Sequence, residues 1–378
     1  VRSSTSGTGF GLVVTGGSTV GTITNSGTIQ GISSTGPYAT GYGILVRSSD
    51  TGGIENSGAI SGLGQARGIG IYLVSGSTVT GSITNDSGGV ISGRHNGITL
   101  SNSSTVTGDI NNSGTISGVG VGIVLASSTV SGAISNSGTI SGSVVFGIAI
   151  TAGSTVTGGI TNSGTISGGS GAISITSSST VGGITNTGAI NGAVELGGTT
   201  LNLDGTTGSI TGAVTGGTGS AVHVHGTFTT ADTFDVGTFN VASTGRLNIG
   251  HDITSANTFS NAGTLAVAAT DTVTIAGDYT QTSTGTFQTG VTDDSTYGKL
   301  VVTGTATLPT GAMIDVNVAD PNFAFTATSM ADIISAGTLA SDGSDIRMPA
   351  VVEARAGQSS VSFRASVDAF AGQQEVTL

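Results

Sequence analysis

Histidine supplies the clearest group of residues in this sequence that could bind a metal ion. His223 and His225 alternate in the stretch AVHVHG, so in a β-strand both imidazoles would project from one face, and His251 with Asp252 could approach them from a later strand. Such a group could bind a transition metal, but we favour an exposed histidine pair. The acidic clusters VTDDS and ASDGSD match neither a calcium-binding repeat nor an EF-hand loop, so we assign them to solubilising charge. The sequence therefore predicts no metal site and no cofactor.

Carboxylates are the second kind of candidate, because enzymes that act on polysaccharides need charged side chains gathered on one face. The first 200 residues contain five acids, which fall at different positions of the sequence repeat described below and would not stack: Asp50, Glu55, Asp86, Asp109 and Glu195. The nucleophile motifs GDSGS and GDSL of serine hydrolases are absent. We predict that the protein is not an enzyme, and a polysaccharide-acting β-helix enzyme is kept as an alternative.

Threonines recur in the tripeptide TVT at residues 78–80, 105–107 and 155–157. Stacked T-x-T rows on a flat β-solenoid resemble one design of ice-binding protein, so ice binding is a second alternative. The corresponding tripeptides elsewhere are TVG at Thr19 and Thr180, TVS at Thr129 and a sequence starting at Asp50. These departures interrupt the rows, and polar β-branched residues are common on any outward strand face.

A nine-residue phrase, ITNSGTISG at residues 160–168, recurs along the first half of the chain and sets its strands and turns. Six further copies begin at Ile23, Ile54, Ile83, Ile110, Ile134 and Ile184, the third of them stretched to ITNDSGGVISG. The asparagines of the seven copies follow one another at steps of 31, 29, 27, 24, 26 and 24 residues: Asn25, Asn56, Asn85, Asn112, Asn136, Asn162 and Asn186. A period of this size indicates a solenoid.

Composition agrees with thin, stacked layers. The 378 residues include 67 glycines, 4 prolines and no tryptophan or cysteine, and 8% are charged. Because Ile, Val and Leu still recur at regular positions, the chain does not have the composition of a disordered protein. The absence of cysteine excludes disulfides and thiolate metal sites. The net charge of −12 argues against nucleic acid as a partner, since nucleic-acid binding needs a basic track.

Each repeat has the pattern of strands and turns. In the stretch GIVLASSTVSGAISNSGTISG, which starts at Gly122, we predict three short strands near residues 123–125, 129–134 and 139–141, with a bend at residues 136–138. Each repeat is then one coil, and parallel crossovers favour the right hand. The predicted fold class is all-β, a single-stranded right-handed parallel β-helix (solenoid) with a C-terminal capping region.

Stacking of the coils assigns structural roles inside the phrase. Ile134, Ile160 and Ile184 would form an inward ladder with a spacing of about 4.8 Å. The seven asparagines would form a structural Asn ladder at the bend, each amide bonded to the asparagine of the next coil. The glycine that follows, such as Gly138, is expected to take a positive φ that a β-carbon would resist.

Loops of unequal length follow the last glycine of the phrase. ISSTGPYATGY follows Gly31, LGQARGI follows Gly62, and only a few residues follow the later copies. All would emerge at one corner and carry the polar and aromatic residues that are typical of recognition surfaces, so these residues are the candidate ligand-binding residues: Tyr38, Tyr42, Gln65, Arg67, Arg94 and His95. The alternative is that terminal coils simply tolerate insertions.

The second half of the chain differs in charge and in side-chain size. Residues 1–200 hold four arginines and five acids, whereas residues 201–378 hold five basic residues, sixteen acids and nine of the eleven phenylalanines. A solenoid end exposes unpaired backbone and apolar interior, which a different unit must cover. We predict a regular β-helix with seven repeats at 1–198, less regular coils at 199–277 and a cap at 278–378.

A family resemblance lies in the segment from VTIAGDYTQ to GAMIDV and in the following ADIISAGTLASDGS. With YTQ at 279–281, YGKL at 297–300 and GTA at 304–306, this region resembles the C-terminal autochaperone-like part of pertactin-like passenger domains of autotransporters (type V secretion). The resemblance implies a right-handed β-helix that is exported through a C-terminal outer-membrane β-barrel to the surface of a Gram-negative bacterium, or is secreted. The chain ends QQEVTL without the alternating strands of such a barrel, so we expect an isolated passenger with this barrel missing.

The expected function follows from the resemblance and from the small number of charged side chains in the repeats. Passengers of this family are mostly adhesive, which implies an adhesin that acts in attachment, autoaggregation or biofilm formation. The expected partners are host or matrix surface molecules or glycans, or other copies of the passenger through many weak contacts.

Overall fold

The computed structural model describes residues 2–5, 7–33, 38–310, 312–319, 323, 325–326, 329–340, 354–356, 359–361, 366–370 and 373–378. These residues contain no helix, and their strands stack in long parallel ladders, so the protein is an all-β parallel β-solenoid. The predicted fold class is confirmed. The chain forms two compact units: unit 1 comprises residues 1–201 and 208–215, and unit 2 comprises residues 202–207 and 216–378.

The strands of the regular repeats follow one another in short steps. In chain order they are β1 (Arg2–Thr5), β2 (Thr8–Thr15), β3 (Thr19–Val20), β4 (Ile23–Asn25), β5 (Thr28–Ser33), β6 (Thr40–Arg47), β7 (Asp50–Thr51), β8 (Ile54–Asn56), β9 (Ala59–Gly64), β10 (Arg67–Val74), β11 (Thr78–Val79), β12 (Ile83–Asn85), β13 (Val90–Gly93), β14 (Asn96–Ser101), β15 (Thr105–Val106), β16 (Ile110–Asn112), β17 (Thr115–Gly118), β18 (Val121–Ala126), β19 (Thr129–Val130), β20 (Ile134–Asn136), β21 (Thr139–Gly142), β22 (Phe146–Thr151), β23 (Thr155–Val156), β24 (Ile160–Asn162), β25 (Thr165–Gly168), β26 (Gly171–Ile175), β27 (Thr180–Val181), β28 (Ile184–Asn186), β29 (Ala189–Asn191), β30 (Val194–Glu195), β31 (Thr200–Leu203), β32 (Ser209–Ile210) and β33 (Val214–Thr215).

The strands of unit 1 stack into four parallel ladders, one for each side of the coil. Ladder 1 is β1-β5-β9-β13-β17-β21-β25-β29-β32, and ladder 2 is β2-β6-β10-β14-β18-β22-β26-β30-β33. Ladder 3 is β3-β7-β11-β15-β19-β23-β27, and ladder 4, which carries the repeated asparagines, is β4-β8-β12-β16-β20-β24-β28. A coil therefore has four strands where three were predicted.

The fourth strand arises because the predicted strand 129–134 is interrupted. β19 ends at Val130 and β20 begins at Ile134, and both of these side chains are fully buried. Between them the backbone amide of Gly132 bonds the carbonyl of Gly108, and the amide of Ala133 bonds the carboxylate of Asp109. These small residues turn the chain through a corner, which alternation of apolar residues alone did not reveal.

The interior of unit 1 consists of columns of aliphatic side chains in register. Ile134 pairs with Ile160 and Ile160 with Ile184, and all three are fully buried, so the predicted inward ladder is confirmed. Burial of one such side chain contributes about 1.5–3 kcal/mol of hydrophobic free energy. The repetition of the phrase thus supplies a continuous core from one coil to the next.

Most glycines at the bend of the phrase serve close backbone approach, and the prediction of a positive φ there is wrong except in the stretched copy, where Gly88 has a φ of 88°. Gly138 is not among the described residues with positive φ, but a Cβ there would collide with the carbonyl oxygen of Gly114 on the neighbouring coil. Positive φ occurs instead between ladders 2 and 3, at non-glycine residues such as Ser127 (51°) and Ala152 (55°). At the bend of the phrase, glycine is therefore required because a side chain would not fit against the neighbouring coil. The backbone with positive φ lies at a different corner, between ladders 2 and 3.

Unit 2 has longer strands and an aromatic interior. Its strands are β34 (Ala221–Val224), β35 (Thr227–Thr229), β36 (Phe234–Val241), β37 (Arg246–Ile249), β38 (Ile253–Asn261), β39 (Thr264–Val267), β40 (Thr272–Ala276), β41 (Tyr279–Gln281), β42 (Thr286–Val291), β43 (Lys299–Thr307), β44 (Met313–Val318), β45 (Ile334–Ala340), β46 (Ala354–Ala356), β47 (Ser359–Val361), β48 (Ser366–Phe370) and β49 (Gln373–Thr377). The rings of Phe239 and Phe259 stack at 5.0 Å between centroids, and Tyr279 follows at 5.7 Å. Burial raises the pKa of the Tyr279 phenol, whose hydroxyl donates to Gln281.

Parallel stacking in unit 2 ends near the C-terminus of the chain. Ladder 5 runs from β34 through β36, β38, β40, β41 and β43 to β45, and ladder 6 is β35-β37-β39-β42-β44. After β45 the pairing becomes antiparallel, with β49 on β45 and β48 on β49. The change of direction closes the parallel ladder with a different arrangement, as a capping region requires.

Candidate functional site

The seven repeated asparagines form one column on ladder 4. Each side-chain Nδ2 donates to the Oδ1 of the asparagine on the next coil at 2.8 Å, in six successive bonds from Asn25 to Asn186. Each amide also bonds backbone carbonyls at the bend, as Asn136 does with Gly138 and Thr165. All seven side chains are buried, so this column stabilises the turns and does not face a ligand.

The candidate ligand-binding residues lie in different environments at the corner between ladders 1 and 2. Tyr38 is 85% exposed, and the preceding loop residues 34–37 lie outside the described residues. Gln65 is exposed between β9 and β10, and Arg94 and His95 are exposed between β13 and β14. Tyr42 and Arg67 were expected in loops, and this expectation is wrong, because they belong to β6 and β10.

Part of each insertion lengthens the flanking strands. β5 and β9 have 6 residues where β13 has 4, and β6 and β10 have 8 where β14 has 6. The added backbone pairs with the added backbone of the neighbouring coil, as Thr40 does with Arg67. Two adjacent insertions can therefore extend a ladder, whereas one alone would have to protrude.

Tyr42 and Arg67 belong to an aromatic column on ladder 2. The Tyr42 ring stacks on Phe10 at 5.8 Å and on Tyr72 at 5.5 Å, and the Arg67 guanidinium lies 4.8 Å from the centroid of the Tyr72 ring. The ring faces are thus occupied by one another and by an arginine, an arrangement that contributes to stability. This column leaves little aromatic face for a ligand.

Gln65 and Arg94 come together in a groove of about 510 Å³, here called the corner groove. It is lined by Ser33, Leu63, Gly64, Gln65, Ser92, Gly93, Arg94 and Val119. Leu63 is 40% and Val119 49% exposed, which is unusual on walls made of small polar residues. The groove combines apolar surface with one guanidinium and one amide, a composition suited to recognition.

Hydroxyl and amide side chains form regular columns on the outer faces of ladders 3 and 4, a surface here called the polar wall. On ladder 3 the in-register column is Thr78, Thr105, Thr129, Thr155 and Thr180. On ladder 4 it is Thr84, Asn111, Ser135, Thr161 and Thr185. The same kind of small polar group is thus presented at each of these coils, whereas Asp50 and Glu55 occupy the two columns on the preceding coil.

The acids of unit 1 are not brought together by the strand register. Asp50 pairs with Thr19 and Thr78, Glu55 is flanked by threonines, and Glu195 pairs with Ser174 and Thr215. A short hydrogen bond joins the Ser174 hydroxyl to the Glu195 carboxylate. None of these three acids therefore lies opposite another acid on a neighbouring coil.

The histidines of unit 2 make separate local contacts. The rings of His223 and His225 are 6.0 Å apart, and desolvation together with the neighbouring imidazole lowers the pKa of His223. His251 contacts the Thr230 hydroxyl through Nδ1 at 3.2 Å, and Asp252 accepts the backbone amide of Thr274 at 2.8 Å. The described residues include no group of three or more metal-ligating side chains that could hold an ion.

A second groove, which sequence reasoning missed, lies on the outer face of ladder 6 and has a volume of about 610 Å³. Its polar lining includes Arg246, Asn248, His251, Asp271, Gln288 and Asn317. The signal was present in GRLNIG, GTLAVA and GTFQTGV, whose outward positions Asn248, Ala266 and Gln288 fall in one register column. We call this the ladder 6 groove.

Comparison with models of known protein families gives no match, and comparison with curated proteins gives no significant match. Within the described part of the chain there is no helix of the length and apolarity needed to cross a membrane.

Proposed function

We propose that this chain is a non-catalytic autotransporter passenger that acts at the cell surface as an adhesin or as an autoaggregation or biofilm factor. The observation that carries the proposal is the register of the polar wall, on which small hydroxyl and amide side chains recur at every coil over several coils of unit 1. A periodic surface of this kind can pair with a second copy of itself, because each bond that forms at one coil is repeated at the next.

Low charge on the repeats supports contact between copies. Residues 1–200 carry four arginines and five acids, so two such surfaces repel one another little even at low ionic strength, where screening is weakest. Single hydroxyl contacts in water contribute little, but a row of them acts as a multivalent surface once the first contact forms. Self-association is therefore the homotypic part of the proposal.

The corner groove supplies the heterotypic part of the proposal. Its apolar side chains Leu63 and Val119 lie beside Arg94 and Gln65, and Val144 on the following coil extends the apolar surface with 59% exposure. A host or matrix surface molecule, or a glycan, with an apolar face and an acceptor group would fit this composition. Nucleic acid is not a proposed partner, because the net charge of the chain is −12.

The proposed location is the surface of a Gram-negative bacterium, either exposed on the outer membrane or secreted. The stacked parallel strands and the resemblance of residues 273–316 to autochaperone-like regions support this location. In this proposal the outer-membrane β-barrel that exports the passenger is a partner outside this chain.

The test uses beads coated with the purified chain, with clustering of like beads and capture on matrix-coated plates as two readouts. A wall variant, Asn111→Lys with Thr161→Lys, places like charges on alternate coils and should abolish clustering. A corner variant, Arg94→Ala with Gln65→Ala, should reduce capture and leave clustering unchanged. Ser283→Lys with Thr284→Lys, at exposed sites in unit 2, is the matched charge control. Parent beads that neither cluster nor bind the plates would refute the proposal.

Ice binding is a second candidate, supported by the threonine columns of ladder 3. Thr107 and Thr157 are exposed beside the in-register column and complete T-x-T rows, although Ser131 and Gly182 occupy the corresponding places on other coils. Thermal hysteresis of the parent chain tests this candidate directly. Hysteresis that vanishes in Thr107→Lys would favour ice binding, and its absence in the parent would remove the candidate.

A further inference from the structure

The ladder 6 groove has the features of a binding site rather than of a simple depression. Its floor is made of small residues, among them Ala266 and Ala268, and its lining comes from β37, β39, β42 and β44 as well as from the adjoining turns. A volume of about 610 Å³ lies within the range of roughly 300–1,000 Å³ that is usual for ligand sites. The groove crosses the strands, so an elongated ligand in it would meet one coil after another.

One side of the groove is held by a polar network that spans several coils. Arg246 on β37 donates through Nε to Asn248 at 3.0 Å and through Nη2 to Gln288 on β42. Gln288 in turn donates to the Asp315 carboxylate on β44. β39 lies between β37 and β42, so the guanidinium spans one intervening strand, on which the register partner of Gln288 is the small residue Ala266. Its bonds to Asn248 and Gln288 fix the guanidinium in place.

The opposite side presents further groups that can donate or accept hydrogen bonds. His251, whose Nδ1 contacts the Thr230 hydroxyl, lines the groove together with Asp271 and the exposed Asn317. A Cβ at Gly250 would lie 3.4 Å from Asp271 Oδ2, so glycine keeps the space beside this carboxylate open. Amides, a guanidinium, an imidazole and a carboxylate therefore face one another across a small-residue floor.

We propose that the ladder 6 groove binds a neutral oligosaccharide chain that runs across the strands. Hydroxyl groups on neighbouring sugar carbons pair with planar amide, carboxylate and guanidinium groups, and the aliphatic faces of the rings rest on the exposed Ala268 and Ala319. The spacing of about 4.8 Å between strands is close to the advance of one sugar in an extended chain, so each coil contacts one sugar.

The same features disfavour other ligands. An extended peptide would need unpaired strand backbone, but β37, β39 and β42 are each paired on both sides. An acidic polysaccharide would meet the Asp271 carboxylate in the lining, with a second carboxylate, Asp315, bonded to the lining residue Gln288, in a protein of net charge −12. Neutral sugars face neither cost.

The proposal goes beyond adhesion through the corner groove, because the two grooves lie in different units and share no residue. Failure of one therefore leaves the other standing. A surface protein with both sites could hold a polysaccharide matrix while its repeats contact other copies.

The experiment is isothermal titration of the full chain with β-linked glucose and N-acetylglucosamine oligosaccharides of increasing length. We expect affinity to rise with each added sugar until the chain spans β37 to β44, and then to level off. Ala268→Tyr, which fills the groove from an exposed position, should weaken binding about tenfold or more, and Asn317→Ala about fivefold, as expected for one lost hydrogen bond.

Ser283→Ala, at an exposed position of unit 2 that does not line the groove, is the matched control and should bind these sugars with unchanged affinity. Far-ultraviolet circular dichroism checks that the groove variants keep the parent fold. The absence of binding by all of these neutral oligosaccharides would overturn the proposal. Binding that survives both groove variants, or that Ser283→Ala removes, would also overturn it.

Discussion

Replacement of Asn112 by alanine removes an interior member of the asparagine column. Asn112 accepts from Asn85 at 2.8 Å and donates to Asn136 at 2.8 Å and to the Thr139 carbonyl at 3.0 Å. In Asn112→Ala the buried Oδ1 of Asn136 loses its donor, whereas Asn85 still bonds the carbonyls of Gly89 and Thr115. The main cost is therefore one orphaned acceptor, about 1–3 kcal/mol, and a small cavity adds roughly 1 kcal/mol.

We expect Asn112→Ala to lower the free energy of unfolding by about 2–4 kcal/mol. Two comparison variants distinguish the loss of a hydrogen bond in the column from the effect of any alanine substitution on this strand. Asn111→Ala changes the outward neighbour on the same strand and should cost less than about 0.5 kcal/mol. Asn186→Ala removes the last member of the column, which donates to carbonyls and leaves no asparagine acceptor orphaned, so its cost should be smaller than that of Asn112→Ala.

The assay is equilibrium unfolding in urea followed by circular dichroism, with the dependence on denaturant compared among the variants. Equal midpoints and slopes for Asn112→Ala and Asn111→Ala would refute the argument that the column stabilises the stacked bends. Equal losses for Asn112→Ala and Asn186→Ala would refute the assignment of the cost to an orphaned acceptor.

Three further predictions concern packing, backbone approach and titration. Ile160→Asp should destabilise unit 1 by several kcal/mol (about 3 or more), because it places an unpaired charge in the core, and thermal melting that matches the parent would show that the inward phase is wrong. Gly138→Ala should lower the melting temperature through collision with the Gly114 carbonyl, whereas Gly27→Ala, which has open space around it, should change it little. The lowered pKa of His223 means that its neutral form stabilises the fold above the unfolded pKa near 6.5, and that this contribution is lost as pH falls through the folded pKa. His225→Gln should raise the pKa of His223 in a nuclear magnetic resonance titration, and an unchanged value would exclude coupling between the two rings.

Much of unit 1 could be predicted from the sequence because the repeated phrase contains both the core residue and the hydrogen-bonding residue of each coil. The positions of Ile160 and Asn162 recur two residues apart in every copy, with an outward residue between them. Both side chains must therefore point inward, the isoleucines forming the core column and the asparagines the amide column. The corner at residues 131–133 could not be found in this way, since Ser, Gly and Ala continue a strand as readily as they end one. The role of Gly138 was also hidden, because a need for space and a need for positive φ select the same residue.

The candidate sites were harder to predict, because they depend on neighbours that are distant in sequence. Tyr42 and Arg67 resemble loop residues until the insertions of adjacent coils are paired with each other. Gln65 and Arg94 could be grouped from their common phase, but the exposed Leu63 and Val119 between them were not recognised as part of one groove. The network of Arg246 and Gln288 crosses an intervening coil, and no local pattern reports such a contact.

The behaviour of cells that display the chain on their surface gives the sharpest test of self-association between copies. Displaying cells and control cells, labelled in two colours, are mixed and allowed to settle at low and at high salt, and the composition of the aggregates is counted by microscopy. Contact between uncharged polar walls predicts aggregates that contain displaying cells alone and that persist at high salt. Settling no faster than that of the control cells, in both salts, would contradict the proposed self-association, and aggregates that disperse in high salt would contradict its basis in the polar wall.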